Sequence, residues 1–429
     1  MKTGLYTKRL MYALLIFSVC FPGNAEAQIL NRLGSKLTGQ AEKKADRALA
    51  NLTGSGSGGE DLAGQPVEPA VAKQSEKPSR AAYRSKFDFI PGEEVYYYYD
   101  FSDVNAGDIP SGWQIDGSAE VVEVDGYPGH YLMINDHSSV IPETYDDLSG
   151  DLTVQFDLIC TDPFAWGSNQ LYFAFANTSS NNIPKGQDDH LGSVNNTVFW
   201  VSFHPGSQAA AANKGHGEYK LRAKSVITQG TFTSEAFTDS GEGRLAKISI
   251  WRQNRRVRVY VNENKVLDLP TVLPQDMVVN TFAWSAYSYY NDNRYFIGNI
   301  RIARGLPDTR KNLLQNGKYV TTGILFDVNS DEIKPESYGV LKDIAGSLKA
   351  ASGIKVKIVG HTDSDGDENA NMELSEHRAE AVMKTLVKDF GVDAAILSTD
   401  GKGESEPVSP NDSAQNKANN RRVEFLVSK

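Results

Sequence analysis

The residues able to do chemistry crowd into one stretch. From Gly360 to Val382 the chain reads GHTDSDGDENANMELSEHRAEAV, in which Asp363, Asp365, Asp367 and Glu368 fall within six residues and Arg378 follows Asp363 by fifteen. Carboxylates at alternate positions could ligate calcium. A loop of the EF-hand kind, however, needs Gly at its sixth position and a bidentate Glu at its twelfth, and Glu368 and Leu374 stand there instead. His361 and His377 flank the loop without a third ligand at metal spacing, so no metal site is expected. A carboxylate and a guanidinium on opposite sides of one loop could instead hold a charged ligand. The bland alternative is a solvated turn, with Asn371 as the N-cap of the following helix. Taken alone, the stretch leaves these last two readings open.

The elements that must position these residues are strands and helices in alternation. Lys355 to Val359 alternates as a strand into the loop, and a helix is expected from about Met372, with Ala379, Val382, Met383, Leu386, Val387 and Phe390 on one face and Gly391 to stop it. Thr322 to Phe326 reads as an earlier strand. Pro335 then suits a first helical position ahead of Val340, Leu341, Ile344 and Leu348, and Val423, Phe425 and Val427 make a last strand. Two right-handed β-α-β crossovers then give an α+β (βαβαβ) domain of about one hundred residues.

Three separated motifs extend this reading. ILFDVNSDEIKPES (Ile324 to Ser337), the acidic stretch itself, and GKGESEPVSPNDSAQNKANNRRVEFLV (Gly401 to Val427) together resemble the OmpA-like peptidoglycan-binding domain, over about residues 319–429, a quarter of the chain. The resemblance implies non-covalent binding of the cell-wall stem peptide through the free amino acid end of its diaminopimelate. That end is a zwitterion, so Asp363 would accept from its ammonium and the planar fork of Arg378 would take its carboxylate. Backbone N–H groups at the helix start would add donors. Carried over by motif, Asn329, Asn371 and Arg421 line the same pocket; Thr362 belongs to the same ligand-binding set and, with Gly366, shapes the loop. Arg422 is expected to face away as a surface ion-pair residue. Asn416-Lys417 stands where the family usually shows Gly-Arg. With Asp363 and Arg378 at an exposed mouth, Asp363→Asn and Arg378→Lys are expected to leave the fold within ~0.5 kcal/mol of wild type.

The rest of the chain reads as an exported, multidomain protein. Lys2, Lys8 and Arg9, an apolar run from Met11 to Phe21, and Ala25-Glu26-Ala27 read as a signal peptide over residues 1–27. Its removal takes away three cations and Glu26, moving the formal net charge from −10 to −12, which makes nucleic acid a poor partner. Residues 28–52 carry Ile29, Leu33, Leu37, Ala41, Ala45, Ala48 and Leu52 at helical spacing, and residues 53–86 have a linker's composition of Gly, Ser, Pro and charge. Cys160 is the single cysteine after the signal, so no intramolecular disulfide is expected, and no transmembrane segment is expected in the mature chain.

From 87 to 306 the period becomes two. Runs such as Leu152 to Leu158, Val198 to Phe203 and Val257 to Val261, separated by Gly, Asn, Asp and Pro, predict an all-β jelly-roll sandwich. The pattern resembles the concanavalin A-like and laminin G-like sandwiches. In LAKISIWRQNRRVRVYVNENKVLDL, Val257, Val259 and Val261 should point inward and Arg256, Arg258 and Tyr260 outward. Trp166, Trp200, Trp251 and Trp284 are read as core rather than sugar platforms, and no paired-carboxylate Glu-x-Asp-x-x-Glu strand motif is present. The expectation is a non-enzymatic, cofactor-free envelope protein in the periplasm of a Gram-negative cell. It would link the outer membrane, or a periplasmic partner, to the wall. An outer-membrane protein or a glycan is the candidate partner of the sandwich. The alternative is a glycan-binding or glycan-cleaving sandwich tethered to the wall by its C-terminal domain. A flagellar stator subunit would need a membrane helix bearing an acidic residue, which is not found here.

Overall fold

The computed structural model describes residues 87–142, 148, 150–160, 170–176, 198–206, 215–223, 226–234, 244–287, 294–305 and 308–428. The signal peptide, amphipathic helix and linker expected over residues 1–86 lie outside the described residues, as does Trp166. Among the described residues no helix is long and apolar enough to cross a membrane.

Among the described residues, fifteen strands occupy the first part: β1 (Glu94–Tyr99), β2 (Gln114–Asp116), β3 (Ala119–Val124), β4 (Tyr127–Ile134), β5 (Ser138–Ile141), β6 (Leu152–Cys160), β7 (Gln170–Ala176), β8 (Val198–Phe203), β9 (Gly215–Ala223), β10 (Val226–Ser234), β11 (Arg244–Gln253), β12 (Arg256–Val261), β13 (Asn264–Leu269), β14 (Thr281–Tyr287) and β15 (Tyr295–Arg304). They form two antiparallel sheets, one ordered β13-β12-β11-β6-β15-β4-β3 with β1 also paired to β15, the other β10-β9-β8-β7-β14-β5-β2. The sheets pack face to face around one apolar core. Phe156 of the first sheet meets Phe173 and Trp284 of the second at ring-centroid distances of 5.7 and 5.6 Å. Cys160, Trp200, Trp251 and Trp284 are buried.

The β11–β12 hairpin turns at Asn254, which takes a positive φ that Asn tolerates. Val257, Val259 and Val261 face the core as expected from the alternation. The outward expectation for Tyr260 is corrected: it is fully buried on the other face of the sheet, where Phe87, Phe89 and Trp251 enclose it and its hydroxyl donates to Asp88 at 2.8 Å. A period of two tells which residues share a face, not what will cover it.

The segment carrying Phe87 and Phe89 runs on between the sandwich and the C-terminal domain, and Ile90 packs against the apolar clusters of both. Further contacts tie the two parts. Buried Arg301 of β15 donates through Nη2 to Thr322 Oγ1 at 2.7 Å, and Lys247 of β11 sits 3.3 Å from Asp157 and 3.5 Å from Glu336. A Cβ on Gly339 would lie 1.9 Å from the carbonyl oxygen of Phe89, so only glycine allows this approach.

The C-terminal domain contains α1 (Thr309–Leu314), β16 (Lys318–Thr321), α2 (Tyr338–Lys349), β17 (Lys355–Gly360), α3 (Glu368–Lys388), β18 (Leu397–Gly401), α4 (Ala414–Asn420) and β19 (Val423–Ser428). The sheet order is β16-β19-β17-β18; β17 and β18 are parallel, and β19 runs antiparallel to both of its neighbours. Two β-α-β crossovers thus leave a gap that the last strand fills.

Three details differ from the sequence reading. The first strand ends at Thr321 rather than spanning Thr322 to Phe326. There the Thr321 hydroxyl accepts from Gly323 N, and Leu325 N turns to the Ser337 hydroxyl instead of a ladder partner. Strand β18, LSTDG, carries too little apolar alternation to be recognised. Helix α3 starts at Glu368, because Asp367 caps it by accepting from Ala370 N at 3.0 Å, so Asn371 is not the cap.

Candidate functional site

The acidic loop leaves the sheet from the end of β17. Its backbone is tied to both neighbouring segments: His361 N donates to Arg422 O at 3.0 Å, and Thr362 N to Gly403 O at 2.9 Å. Asp363 is thereby delivered below the surface, with 8 % of its area exposed. Its Oδ2 accepts from Arg421 Nη1 at 2.6 Å and its Oδ1 from Asp365 N at 3.1 Å. This overturns the expected exposed mouth for Asp363, and with it the expectation that Asp363→Asn would leave stability untouched. The loop turns inward because Asn371, buried on the first turn of α3, pulls it there. Its Nδ2 donates to the carbonyls of Asp363 and Asp365, at 3.3 and 3.0 Å, and to Glu404 Oε2 at 2.6 Å.

Arg378 follows one turn after Ser375 on the same helix. Its partner is not Asp363. Nε donates to Ser330 O at 2.9 Å and Nη2 to Asp327 O at 3.3 Å, while the guanidinium lies 4.9 Å from the Phe326 ring centroid. Burial, and then the neighbouring cation of Arg421, push the Arg378 pKa down from its usual value, with Asp363 pulling it back. Asp363, Arg421 and Arg378 therefore share one neighbourhood, with Arg421 bonded to the carboxylate, Arg378 fixed beside it by backbone carbonyls, and Asp331 also acting on Arg378. The turn that supplies those carbonyls has Asn329 at its tip, exposed and at φ +52°. That backbone conformation explains an asparagine there. Its side chain makes no hydrogen bond to Asp363, Arg378 or Arg421. The Thr362 hydroxyl is buried without a hydrogen-bond partner among the described residues, and Gly366 turns the loop at φ +98°.

Several residues enter that the sequence reading placed elsewhere or overlooked. Lys417, at the position where the family pattern is broken, donates from Nζ to Asp365 Oδ1 at 2.7 Å, and Glu404 anchors Asn371. The Arg421 guanidinium lies over the ring of Tyr98, 5.2 Å from its centroid, and Tyr98 belongs to β1 of the sandwich. No local signal marks Glu404 or Tyr98, because each meets the site only through folding. Arg422 is not at the surface. It is buried, with Nε donating to Glu424 Oε1 at 2.9 Å and Nη2 to Glu406 O at 3.0 Å.

Beneath the loop, His361 is buried 3.8 Å from Glu424, which also receives Lys318 at 2.7 Å. Burial, then the cations of Arg422, Lys318 and Lys402, push the imidazole down to about 4 from 6.5, against the opposing pull of Glu424. Burial alone would raise Glu424, but hydrogen bonds from Lys318 and Arg422 outweigh it and hold its carboxyl below 4.5. As pH falls from 6.5 towards 4 the unfolded chain takes up a proton at His361 that the folded domain refuses. The unfolded Glu424 likewise protonates before the folded one. Both effects make stability fall with acidification and return as pH rises. Melting temperature measured from pH 7.5 down to 4.5 should drop across this window, with a shallower slope in His361→Gln; a flat profile in wild type would contradict the assignment.

Comparison with known proteins places residues 325–421 in a match to the OmpA family. All six candidate residues fall inside it. Outer membrane porin F of Pseudomonas aeruginosa is 39 % identical over 108 residues, 25 % of this chain and 31 % of its own length. The probable lipoprotein YiaD of Escherichia coli is 39 % identical over 105 residues, 24 % of this chain and 48 % of its own length. Outer-membrane lipoprotein YfiB of Pseudomonas aeruginosa is 39 % identical over 108 residues, 25 % of this chain and 64 % of its own length. In each case the chain spans less than two thirds of the relative.

Proposed function

We propose that the OmpA family domain closing this chain binds peptidoglycan without a covalent bond, holding the free zwitterionic end of diaminopimelate in the stem peptide, and so fastens the β-sandwich of an envelope protein to the wall. The observation that carries this reading is the charge arrangement: one buried carboxylate, Asp363, with Arg421 bonded to it and Arg378 beside it, already oriented by two carbonyls. The ammonium of the ligand would take the remaining lone pairs of Asp363. Its carboxylate would lie against Nη1 of Arg378 and the free edge of Arg421, two fixed forks that lose little freedom on binding. Asn371 and Asp365 would act by holding the loop, and Thr362 by its unpaired hydroxyl.

We read the sandwich as a concanavalin A-like or laminin G-like jelly roll, supported by its two antiparallel sheets around one aromatic core, and the whole protein as a non-enzymatic component of the periplasmic face of the outer membrane and wall. Co-sedimentation of the full mature chain with purified sacculi tests the proposal. The protein should pellet with sacculi and be released by a stem peptide whose diaminopimelate has its free end intact, but not by the same peptide with that end's carboxylate amidated. Failure to pellet, or equal release by both forms, would count against it.

A further inference from the structure

Strand β1 reads EVYYYY, and its four tyrosines do not share one fate. Tyr96, Tyr97 and Tyr99 pack on the sandwich core, with Tyr97 and Tyr99 at a centroid distance of 6.1 Å. Tyr98 does not join that core. A register irregularity between Val95 and Tyr97, where β1 pairs with β15, sets the alternation that follows, and Tyr98 falls on the other face. There its ring meets the guanidinium of Arg421, whose Nη1 is bonded to Asp363.

Helix α4 holds the arginine's side of this contact. Arg421 immediately follows α4, which packs along β1, and Asn419 of α4 reaches the Val95 carbonyl at 3.5 Å. Arg301, bonded across to Thr322, lies within electrostatic reach of Tyr98, and burial raises the tyrosine's pKa so that its hydroxyl stays neutral. A ring face 5.2 Å from the guanidinium carbon limits how far the Arg421 head can move on that side. The Arg421 side chain is 37 % exposed and is held by Asp363 on one side and the Tyr98 ring on the other; without the ring, its remaining edge could turn to solvent or onto Asp363. Either movement would take away the edge that a ligand carboxylate needs.

We propose that Tyr98 is a positioning residue of the wall-binding site, so that the β-sandwich, besides being cargo, completes the site by orienting Arg421. This rests on the wall-binding reading. The test is calorimetry of the full mature chain with a muropeptide bearing a free diaminopimelate end, comparing wild type with Tyr98→Phe, Tyr98→Leu and Thr322→Val. Tyr98→Leu keeps apolar bulk but loses the ring face, and should weaken binding about three- to tenfold, whereas Tyr98→Phe should stay within about twofold of wild type. Thr322→Val removes a hydrogen bond between the two parts without touching the stack, and should also stay within about twofold. In an Arg421→Ala background, Tyr98→Leu should add nothing further. Unchanged binding in Tyr98→Leu, equal weakening in Tyr98→Phe, or equal weakening in Thr322→Val would overturn the proposal while leaving the wall-binding reading intact. Absence of binding by wild type would overturn both.

Discussion

Asp363→Asn is expected to weaken muropeptide binding about a hundredfold and to lower the stability of the domain by about 1–3 kcal/mol. The carboxylate receives two donors of different origin, Arg421 Nη1 on one oxygen and Asp365 N on the other. An amide has one acceptor oxygen and one NH₂ group. With its oxygen turned to Arg421, its NH₂ faces the Asp365 N–H; turned over, it faces the guanidinium. Either rotamer buries donor against donor, and the two arginines lose the anion between them. Arg378→Lys should separate the two effects, because Arg378 sits outside that pair. A lysine cannot serve the Ser330 and Asp327 carbonyls and present a third edge to ligand, so binding should fall at least about tenfold with a small change in stability. Calorimetry with a diaminopimelate-containing muropeptide, alongside thermal melts of each variant, measures both quantities. Asp363→Asn binding like wild type would refute the assignment of the carboxylate, and so would a loss seen only where the variant is unfolded.

Gly360→Val is expected to be the most destabilising of the substitutions considered, by about 3 kcal/mol. The reason is close approach. A Cβ on Gly360 would stand 2.1 Å from the carbonyl oxygen of Ser375, backbone of α3 that cannot rotate aside, and a Cβ on Gly401 of the adjoining strand would stand 2.7 Å from Glu376 N of the same helix. The helix rests directly on the ends of β17 and β18 because neither strand puts a side chain between them. Valine would lift α3 away, and Arg378, one turn beyond Ser375, would move with it. Denaturant unfolding monitored against wild type should show the loss, with muropeptide affinity falling in parallel. A change below about 1 kcal/mol would mean that the helix shifts freely and that its close seat is not required.

Much of this was legible before any coordinates. Residues 355–360, 256–261 and 423–428 alternate so regularly that their strands follow from side-chain period alone, and the apolar stripe of Ala379, Val382 and Leu386 marks the buried face of α3. The types of residue needed to hold a zwitterion, a carboxylate and guanidinium groups around one loop, also stand in the sequence. Strand β18 was not legible, because five residues with three polar side chains and a terminal glycine carry no period. Nor was the burial of Tyr260, since what covers a face is contributed by chain far away, here Phe87 and Phe89.

The sequence by itself determined most of the elements and their order, though not β18 or the bounds of β16, together with the family resemblance of the last quarter and the chemical character of the acidic loop, because these depend on neighbours a few positions apart. Tertiary structure alone decided which arginine bonds to Asp363. Arg378 is nearer along the chain, yet Arg421, 58 residues away, takes the contact, because β19 enters the gap beside β17 and brings the residues just before it to the loop. The same closure put Tyr98 on Arg421 and Asp363 out of solvent. Such pairings are set by where strands insert and which surfaces then meet, and no local pattern of side chains encodes the distance between two points that only folding brings together.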